Sequence, residues 1–257
     1  WNVDGTPLQF GIANLLWVTV LSSAIAMLIA VPLGVGVALF ITQYAPIWLS
    51  RTAASLVDLL AAVPSIVYGL WGLQVLGTHM DGVQAALQSL FGWFPLFSDA
   101  GIGAASTILT VSVVLSIMVL PIVTALSREV FAQTPTSHTD AALALGATRW
   151  EMIRTAVLPF GKPGVISASM LGLGRALGET VAVMVILSAL ANDTSWSWSM
   201  FNGGETFASK IANNAAEFDT PQKAGAFMAA GLVLFLLTFL VNAIARVVIE
   251  RRKAFIE

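Results

Sequence analysis

The chain has 257 residues, of which 57% are hydrophobic and only 10% are charged, with a net charge of -2 and a mean hydropathy of +0.85. Soluble domains carry about 25% charged residues, so this composition excludes a soluble globular protein. The absence of cysteine excludes disulfide frameworks and thiolate metal sites.

Five apolar stretches are long enough to cross a bilayer, because a hydrocarbon core of about 30 Å needs about 17 to 25 apolar residues per helix. The first stretch is longer than one straight span requires and contains Pro32, Gly34 and Gly36, so we expect it to tilt, kink or project. The period-two segments of a transmembrane barrel are absent. The sequence therefore predicts an all-α membrane domain over residues 12–249. Its predicted spans are 12–41, 58–77, 102–126, 164–190 and 224–249.

Basic residues are concentrated in the loops of one side of the predicted spans, and this distribution indicates the cytoplasmic side. The nine residues of that side are Arg51, Arg128, Arg149, Arg154, Lys162, Arg246, Arg251, Arg252 and Lys253. The other side has only Lys210 and Lys223. We therefore expect a cytoplasmic C-terminus, an external N-terminus, and an external loop at 191–223 with room for a periplasmic partner. A chain that starts outside without an export signal predicts one more span upstream, six in all.

The second predicted span contains polar and helix-interrupting residues. Pro64, Ser65, Tyr68 and Gly69 break its apolar run, and broken helices often line a transport path because freed backbone groups need polar partners. A kink without any transport role is the alternative. Asp58 is predicted to stabilise the N-terminus of this span, where a negative charge is favourable.

Residues 127–163 form a long cytoplasmic loop with signals for two short helices. Ser137 and Asp140 have capping-box-like spacing, and Gly146 lies where a left-handed residue would end the first helix. A loop of this kind is typical of an amphipathic element at the membrane surface.

The second short helix of the loop is predicted from its two ends. Thr148 and Glu151 have the spacing of a full capping box, and we expect Pro159 to stop the helix. The pair Gly161 and Lys162 lacks the upstream glycine and the following Ser or Thr of a P-loop, so this chain is not predicted to hydrolyse ATP.

Two opposite charges lie in the fourth predicted span. Arg175 or Glu179 at the bilayer centre each cost about 2.5 to 3.5 kcal/mol on insertion scales, so both need partners. Their spacing of four places them on one helix face, where they can pair with each other or with a facing helix. Gly174 and Gly178 would let that helix approach closely.

These charges have two interpretations. In one, they form a buried ion pair that only fixes helix packing. In the other, Arg175 faces the translocation path and holds a tetrahedral oxyanion by two parallel hydrogen bonds, while Glu179 restrains Arg175 when the site is empty. The residues alone indicate an anion site or a gating pair. His79 and His138 have no ligand-like spacing, so no metal site is predicted.

The loop resembles the EAA motif of bacterial ABC importer permeases. Asp140, Ala141 and Ala142 are followed after three residues by Gly146, and later by Leu158 and Pro159, with Asp140 in place of the usual Glu. Small residues let a helix seat deeply in a cleft of another protein. The resemblance implies that Asp140, Ala141, Ala142 and Gly146 dock in a separate nucleotide-binding subunit.

Four longer segments resemble the PstC and PstA permease family of the phosphate-specific transport system. They read AVPLGVGVALFITQYAP (30–46), DLLAAVPSIVYGLWG (58–72), REVFAQTP (128–135) and GLGRALGETVAV (172–183). The similarity extends over essentially the whole chain and favours PstC, with PstA as the nearest alternative. It implies a MetI-like type I importer fold in the bacterial inner membrane, and a missing N-terminal span.

The same resemblance implies the partners and cofactors. A PstA-like second permease, a PstB-like ATPase dimer and a PstS-like periplasmic phosphate-binding protein would assemble with the chain in the lipid bilayer. ATP and Mg²⁺ would be used by the ATPase, with no cofactor on this chain and no nucleic-acid partner. The predicted function is import of inorganic phosphate, with Arg175, Glu179, Ser65 and Tyr68 along the path.

Other functions remain open at this point. A permease for sulfate or molybdate would share the EAA-like loop. An ion-coupled secondary transporter could use Arg175 and Glu179 as a relay, although such a carrier has no ATPase to dock. An intramembrane enzyme is disfavoured because no nucleophile–base pair or metal-ligand set is present.

Overall fold

The computed structural model describes residues 11–98, 103–187 and 197–253, and these residues form helices without any strand. The α-helices are α1 (Ala13–Leu39), α2 (Ile47–Ala61), α3 (Ser65–Trp71), α4 (Met80–Phe91), α5 (Ile108–Ala132), α6 (Thr136–Ala144), α7 (Arg149–Met152), α8 (Leu158–Gly178), α9 (Val181–Ile186), α10 (Phe207–Asn213) and α11 (Pro221–Lys253). Wider π-helical turns occupy Phe40–Tyr44, Gly72–Leu76 and Ile153–Val157, and short 3₁₀ turns occupy Gly77–His79, Pro95–Phe97, Ala104–Ser106 and Ala215–Glu217. The predicted all-α class is confirmed.

Four described helical stretches are long and apolar enough to cross a membrane, and a bent pair makes a fifth if it counts as one span. The four are Ala13–Tyr44, Ile108–Ala132, Arg149–Gly178 and Pro221–Val247, and the bent pair is Ile47–Ala61 with Ser65–Phe91. The prediction of several apolar spans is thus confirmed, with shifted boundaries. Predicted span residues 102 and 188–190 lie outside the described residues.

The second predicted span, 58–77, is not one helix. Helix α2 ends at Ala61, and the next helix starts at Ser65 after a bend of 90°. Pro64 explains the break, since a proline forces the preceding residue out of the α-helical region and lacks the N–H that would continue the ladder. Asp58 therefore lies near the C-terminal end of α2 and does not stabilise a helix N-terminus, contrary to the prediction.

The helix that begins at Arg149 does not stop at Pro159 as predicted. It continues to Gly178 as one apolar stretch of 30 residues. The π-helical turn Ile153–Val157 lies just before the proline, and its wider ring bonds the Leu158 N–H to the Ile153 carbonyl. Such a turn rearranges the local hydrogen bonds and accommodates a residue that cannot donate one.

The chain divides into two compact units, described here one at a time. The first contains the described residues of 1–26, 64–116 and 175–239. A cluster of Leu15, Phe207 and Ala230 is buried in it, and the Phe207 N–H donates to Thr19 Oγ1 at 3.2 Å. This bond gives a partner to one of the amides in the first turn of α10, which have no acceptor within the helix.

The predicted external loop at 191–223 belongs to the same unit, although residues 191–196 lie outside the described residues. Thr206 and Ser209 form a capping box at the start of α10, and Lys210 Nζ lies 2.8 Å from Glu205 Oε2, with both side chains only 13% exposed. The described part of this loop therefore contains a capped helix and a largely buried salt bridge.

The second unit contains the described residues of 27–63, 117–174 and 240–257. Its buried cluster consists of Ala38, Phe131, Met152, Ile153 and Val157. Glycines allow its helices to approach closely, since a Cβ on Gly164 would lie 2.4 Å from Val130 Cγ2 and one on Gly172 would lie 2.6 Å from Val119 Cγ1. The backbone of α8 at these glycines thus packs directly against valine side chains of α5 in this unit.

The candidate spans differ in how much of their surface the described chain covers. Of the most apolar window of α5, 72% is buried, against 11% for that of α11. Exposed side chains of α11 include the large apolar residues Met228, Leu232, Phe235, Leu236, Phe239, Leu240, Ile244 and Val247. Helix α5 is therefore a core element, whereas α11 presents most of its surface outward.

Candidate functional site

The EAA-like segment folds as a short helix that begins earlier than predicted. Helix α6 starts at Thr136 after Pro135, and no side chain caps its first turn. The predicted capping box of Ser137 and Asp140 is not formed, because Ser137 already lies inside the helix and its hydroxyl cannot take the N-cap position.

The turn after α6 is a complete Schellman motif. Gly146 has φ of +84°, the left-handed conformation that was predicted for it. The Ala147 N–H donates to the Ala142 carbonyl at 3.2 Å, and the Gly146 N–H donates to the Leu143 carbonyl at 2.9 Å. These two bonds satisfy carbonyls at the helix end that would otherwise be unpaired.

The predicted capping box at the start of the next helix is confirmed. The Thr148 N–H donates to Glu151 Oε2 at 2.7 Å, and the Glu151 N–H donates to Thr148 Oγ1 at 3.3 Å. The helix–glycine turn–helix arrangement thus has hydrogen-bonding partners at both of its inner ends, and it holds the EAA-like residues in a fixed geometry.

The EAA-like residues do not all face the same way. Asp140, Ala141 and Gly146 are exposed, whereas Ala142 packs against the buried cluster of the second unit. Ala141 is therefore accessible to another protein, whereas Ala142 fixes the segment to the buried cluster of the second unit.

Two exposed apolar side chains extend this surface, and the sequence analysis did not single them out. Leu145 is 90% exposed and Trp150 is 57% exposed, on either side of the Gly146 turn. Exposed apolar side chains grouped beside small residues are typical of a protein interface. The signal in the sequence was the position of these two apolar residues on either side of the turn, where this chain by itself has no core that would bury them.

In the first unit, Arg175 lies in the last turn of α8 and not in the middle of a continuous span. The helix ends at Gly178, and a new short helix, α9, begins at Val181. The Glu179 carboxylate accepts the Ala182 N–H at 3.3 Å, which gives that helix a cap where the regular ladder is broken. The predicted span 164–190 therefore contains a break beside its charges.

The two charges do not pair with each other. Among the described residues, no carboxylate lies within 4.0 Å of the Arg175 side chain. The Arg175 Nε–H is buried, and no described residue accepts a hydrogen bond from it. In this conformation Arg175 and Glu179 therefore do not pair with each other, because the Glu179 carboxylate bonds to the backbone of α9.

Tyr68 and Ser65 lie on α3 in the same unit as Arg175, with Ser65 one helical turn before Tyr68. Tyr68 is 8% exposed and within the electrostatic range of the Arg175 charge. Ser65 is half-buried at the first position of α3 and lies on the same helix face as Tyr68, three residues away. The structure thus brings two hydroxyl-bearing residues of α3 into the unit that contains Arg175.

Small residues hold α3 against its neighbours. A Cβ on Gly69 would lie 3.1 Å from the Ala182 Cα, and one on Gly72 would lie 2.5 Å from Val114 Cγ2. By contrast, a Cβ on Gly174 or Gly178 would meet no described atom within 4 Å. The predicted close helix approach therefore occurs on α3 and not at the glycines beside Arg175.

One more feature escaped the sequence analysis. A groove lies in the second unit between the end of α5 and the start of α2, and Arg51 and Arg128 line it. The two arginines are 77 positions apart, and a pattern read along the sequence could not bring them together.

Comparison with known proteins gives the family. The model for binding-protein-dependent transport system inner membrane components matches residues 30–254. The phosphate transport system permease protein PstC 2 of Mycobacterium bovis is 55% identical over 247 residues, which cover 95% of this chain and 76% of that protein. The PstC permease of Pasteurella multocida is 40% identical over 256 residues, which cover 98% and 79%.

Solved structures give the fold. An inward-facing structure of the MetNI methionine ABC transporter matches with a TM-score of 0.63 at 17% identity, covering 94% of each chain. A bacterial ABC transporter that imports the acidic polysaccharide alginate matches with a TM-score of 0.58 at 16% identity, covering 91% of this chain and 78% of that one. This multi-pass membrane chain therefore belongs to the binding-protein-dependent transport system inner membrane components, within the group of PstC permeases.

Proposed function

We propose that this chain is the channel-forming, non-catalytic subunit of an ATP-driven importer that carries inorganic phosphate to the cytoplasm. The names of its relatives support phosphate as the cargo. The single observation that carries the proposal is Arg175, a half-buried guanidinium whose Nε–H has no acceptor among the described residues. An unpaired buried donor of this kind is costly unless a ligand satisfies it.

The chemistry of Arg175 fits a tetrahedral oxyanion. A guanidinium presents a planar fork of donors that matches two phosphate oxygens, and such charge-assisted bonds are stronger in a site that excludes water. The hydroxyl groups of Tyr68 and Ser65 on α3 can donate to the remaining oxygens. We assign these three residues to the path of the anion.

Glu179 has a different role in this proposal. Its carboxylate is held by the backbone of α9, four residues after Arg175. A fixed negative charge near the path repels a fully charged anion and shortens its stay. Brief occupancy suits a channel that must release its cargo, whereas tight binding would block turnover.

The coupling segment comprises α6, the Gly146 turn and α7, and we place it on the cytoplasmic side together with the C-terminus, as the basic loops predict. There Asp140, Ala141, Leu145 and Gly146 dock on a PstB-like ATPase dimer, which uses ATP and Mg²⁺. The exposure of Leu145 supports this assignment, since burial of its side chain in a partner is favourable by about 1.5 to 3 kcal/mol. A PstA-like second permease and a PstS-like binding protein complete the transporter.

Phosphate uptake into vesicles that contain the assembled transporter tests the proposal. The double variant Arg175→Met with Glu179→Leu removes both charges but keeps apolar bulk. We expect it to assemble and retain ATPase activity while phosphate uptake falls to background. Arg175→Lys keeps the charge but loses the planar fork, so uptake should fall about tenfold, the equivalent of one charge-assisted hydrogen bond.

A matched control is Arg246→Lys, since Arg246 is an exposed arginine of the last helix. It should transport as the unmodified chain does. Normal uptake by the double variant would show that Arg175 and Glu179 serve packing alone. Uptake of labelled sulfate in preference to phosphate by the unmodified transporter would assign the path to another oxyanion.

A further inference from the structure

A groove in the second unit has a volume of about 750 Å³, within the usual range of small-molecule sites. Four segments form it: the π-helical turn that follows α1, the start of α2, the end of α5 and the start of α6. It is separate from the residues that we assign to the transport path, none of which lines it.

Two arginines line this groove from different helices. Arg51 on α2 has no carboxylate within 4.0 Å among the described residues. Arg128 on α5 is 23% exposed, and its Nη2 lies 3.8 Å from Asp58 Oδ1, too far for a hydrogen bond. The Asp58 side chain is 58% exposed, so solvent screens this contact. Both guanidinium groups therefore have N–H donors that no carboxylate within hydrogen-bond distance accepts among the described residues.

The groove also has one acidic residue. Glu129 lines it, and its Oε1 accepts a hydrogen bond from Gln133 Nε2 at 3.2 Å. Glu129 is exposed on the outer part of α5, so water screens its charge as well. The charged lining thus has two cations against one anion.

Uncharged donors also line the groove. Thr136 and Thr139 line it at the start of α6, a helix of nine residues whose first turn no side chain caps. The amides of Thr136 and Ser137 lack acceptors within the helix, as at every helix start. In addition, Thr134 lines the groove, and its Oγ1 is buried without a hydrogen-bond partner among the described residues. An anion would satisfy these donors together.

We propose that this groove binds a phosphate group, held by Arg51, Arg128 and the start of α6. Arginine forks and free helix amides are the donors that bind phosphate oxygens most favourably. An anion held there bridges α2, α5 and the helix that carries the EAA-like residues. The bound group therefore restrains the coupling segment at the end opposite to its Gly146 turn.

Two sources can supply this chemistry, and they differ in what the groove would sense. One source is free inorganic phosphate, which would report the concentration of the anion around α6. The other is the headgroup of an anionic phospholipid, which would anchor α2. The exposed apolar residues Ile47 and Trp48 at the start of α2 are compatible with a lipid beside it.

Binding measurements on the complete transporter in nanodiscs test the groove with both probes. The first arm measures equilibrium binding of radiolabelled inorganic phosphate in nanodiscs of phosphatidylcholine. The second arm counts, by native mass spectrometry, the phosphatidylglycerol molecules that remain bound. For the double variant Arg51→Gln with Arg128→Gln, we expect a loss of about tenfold or more in one arm, since each charge-assisted hydrogen bond is equivalent to about tenfold in affinity.

Three further variants make the result specific to the groove. Arg246→Gln is a matched surface control and should bind both probes normally. Arg51→Gln alone removes an exposed side chain without an acidic partner, so it should fold normally and still lose affinity. Arg175→Gln should remove only phosphate that binds in the transport path, and it should leave the lipid count and the hydrogen exchange at Thr136 and Ser137 unchanged, which separates the groove from the proposed transport site.

The loss of binding also has a local signature. When the groove is filled, hydrogen exchange at the Thr136 and Ser137 amides should slow, and it should return to the rate of the empty protein in the double variant. A loss confined to the phosphate arm identifies free phosphate, and one confined to the lipid arm identifies the headgroup. Unchanged binding in both arms, or a loss seen only with Arg175→Gln, would refute the groove as a phosphate site.

Discussion

The turn at Gly146 and the break at Glu179 both interrupt a helix, but they leave the chain in different states. At the turn, a Schellman motif closes one helix and the capping box of Thr148 opens the next. At the break, Glu179 Oε1 accepts the Ala182 N–H and Thr180 Oγ1 donates to the Gly178 carbonyl, while the Arg175 Nε–H a turn earlier has no partner among the described residues.

The difference fits the two roles that we propose for these regions. Paired backbone groups make the coupling segment rigid, so it can pass on a displacement without deforming. The region around Arg175 keeps a charge that the protein itself does not neutralise, which suits a ligand that must come and go. An interruption whose backbone groups are paired suits the transmission of movement, and one that leaves a donor unpaired suits the binding of a ligand.

The largest expected effect comes from steric bulk on the exposed face of the coupling segment. Ala141→Trp should lower phosphate import at least tenfold, because the exposed position faces the proposed ATPase while the fold of the chain is untouched. ATP hydrolysis and import should become uncoupled, and vesicle uptake measured beside ATPase activity and complex yield checks this. Import at the original rate would contradict docking through Ala141.

Two control variants distinguish the effect of side-chain size from the effect of its position on the segment. Ala141→Ser adds little volume and should import normally. Ala142→Trp places the same bulk against the buried cluster, so overpacking should cost about 1 to 3 kcal/mol and lower the yield of folded chain. Equal yields for the two tryptophan variants would mean that Ala142 is no more buried than Ala141.

A smaller effect distinguishes the two interruptions by their glycines. Gly146→Ala places a Cβ on a residue with φ of +84°, which costs about 1 to 2 kcal/mol. Gly178→Ala lies outside the positive-φ region and meets no described atom within 4 Å, so its effect should stay within about 0.5 kcal/mol. Thermal unfolding of the purified chain measures both.

Gly146→Asn serves as the control for the turn, because asparagine tolerates the left-handed conformation better than alanine does. It should recover part of the lost stability. If Gly178→Ala destabilised the chain as much as Gly146→Ala, the contrast between the two interruptions would be lost.

The smallest expected effect concerns the two helix caps. Thr148→Ala removes the hydroxyl that accepts the Glu151 N–H, and it should cost about 1 kcal/mol. Glu179→Gln keeps an oxygen that can accept the Ala182 N–H, so the free energy of unfolding should change by less than about 0.5 kcal/mol. A larger loss from Glu179→Gln than from Thr148→Ala would show that the charge itself holds the break together.

The coupling segment could be predicted from the sequence because its signals are local. A glycine and a Thr-x-x-Glu spacing each determine their own turn, and both are present in the structure as expected. The Ser137 box failed for a local reason too, since Pro135 starts the helix two residues earlier. In the candidate site, the sequence predicts which residues carry the chemistry, but it does not predict which groups those residues contact.

Prolines show where such reasoning ends. Pro64 breaks a helix, whereas Pro159 lies within one, although both stand in apolar surroundings. Pro32, Pro121 and Pro163 also lie within helices, so a proline in an apolar run does not by itself end one. At Pro159 a π-helical turn precedes the proline, and the packing of Ile153 and Val157 in the buried cluster supports this turn. The break near Glu179 and the groove between Arg51 and Arg128 depend likewise on contacts distant in sequence.

The contrast between α5 and α11 has a consequence for how the two helices can change over generations. A buried helix is constrained position by position, since each side chain has neighbours of fixed shape. Phe227 and Ala230 of α11 are buried, but at exposed positions such as Leu232 and Leu236 an exchange among Leu, Ile, Phe and Met changes few contacts within the described chain. Selection should therefore preserve individual residues along α5, while on the exposed face of α11 it preserves average apolarity, except at positions that a partner subunit covers.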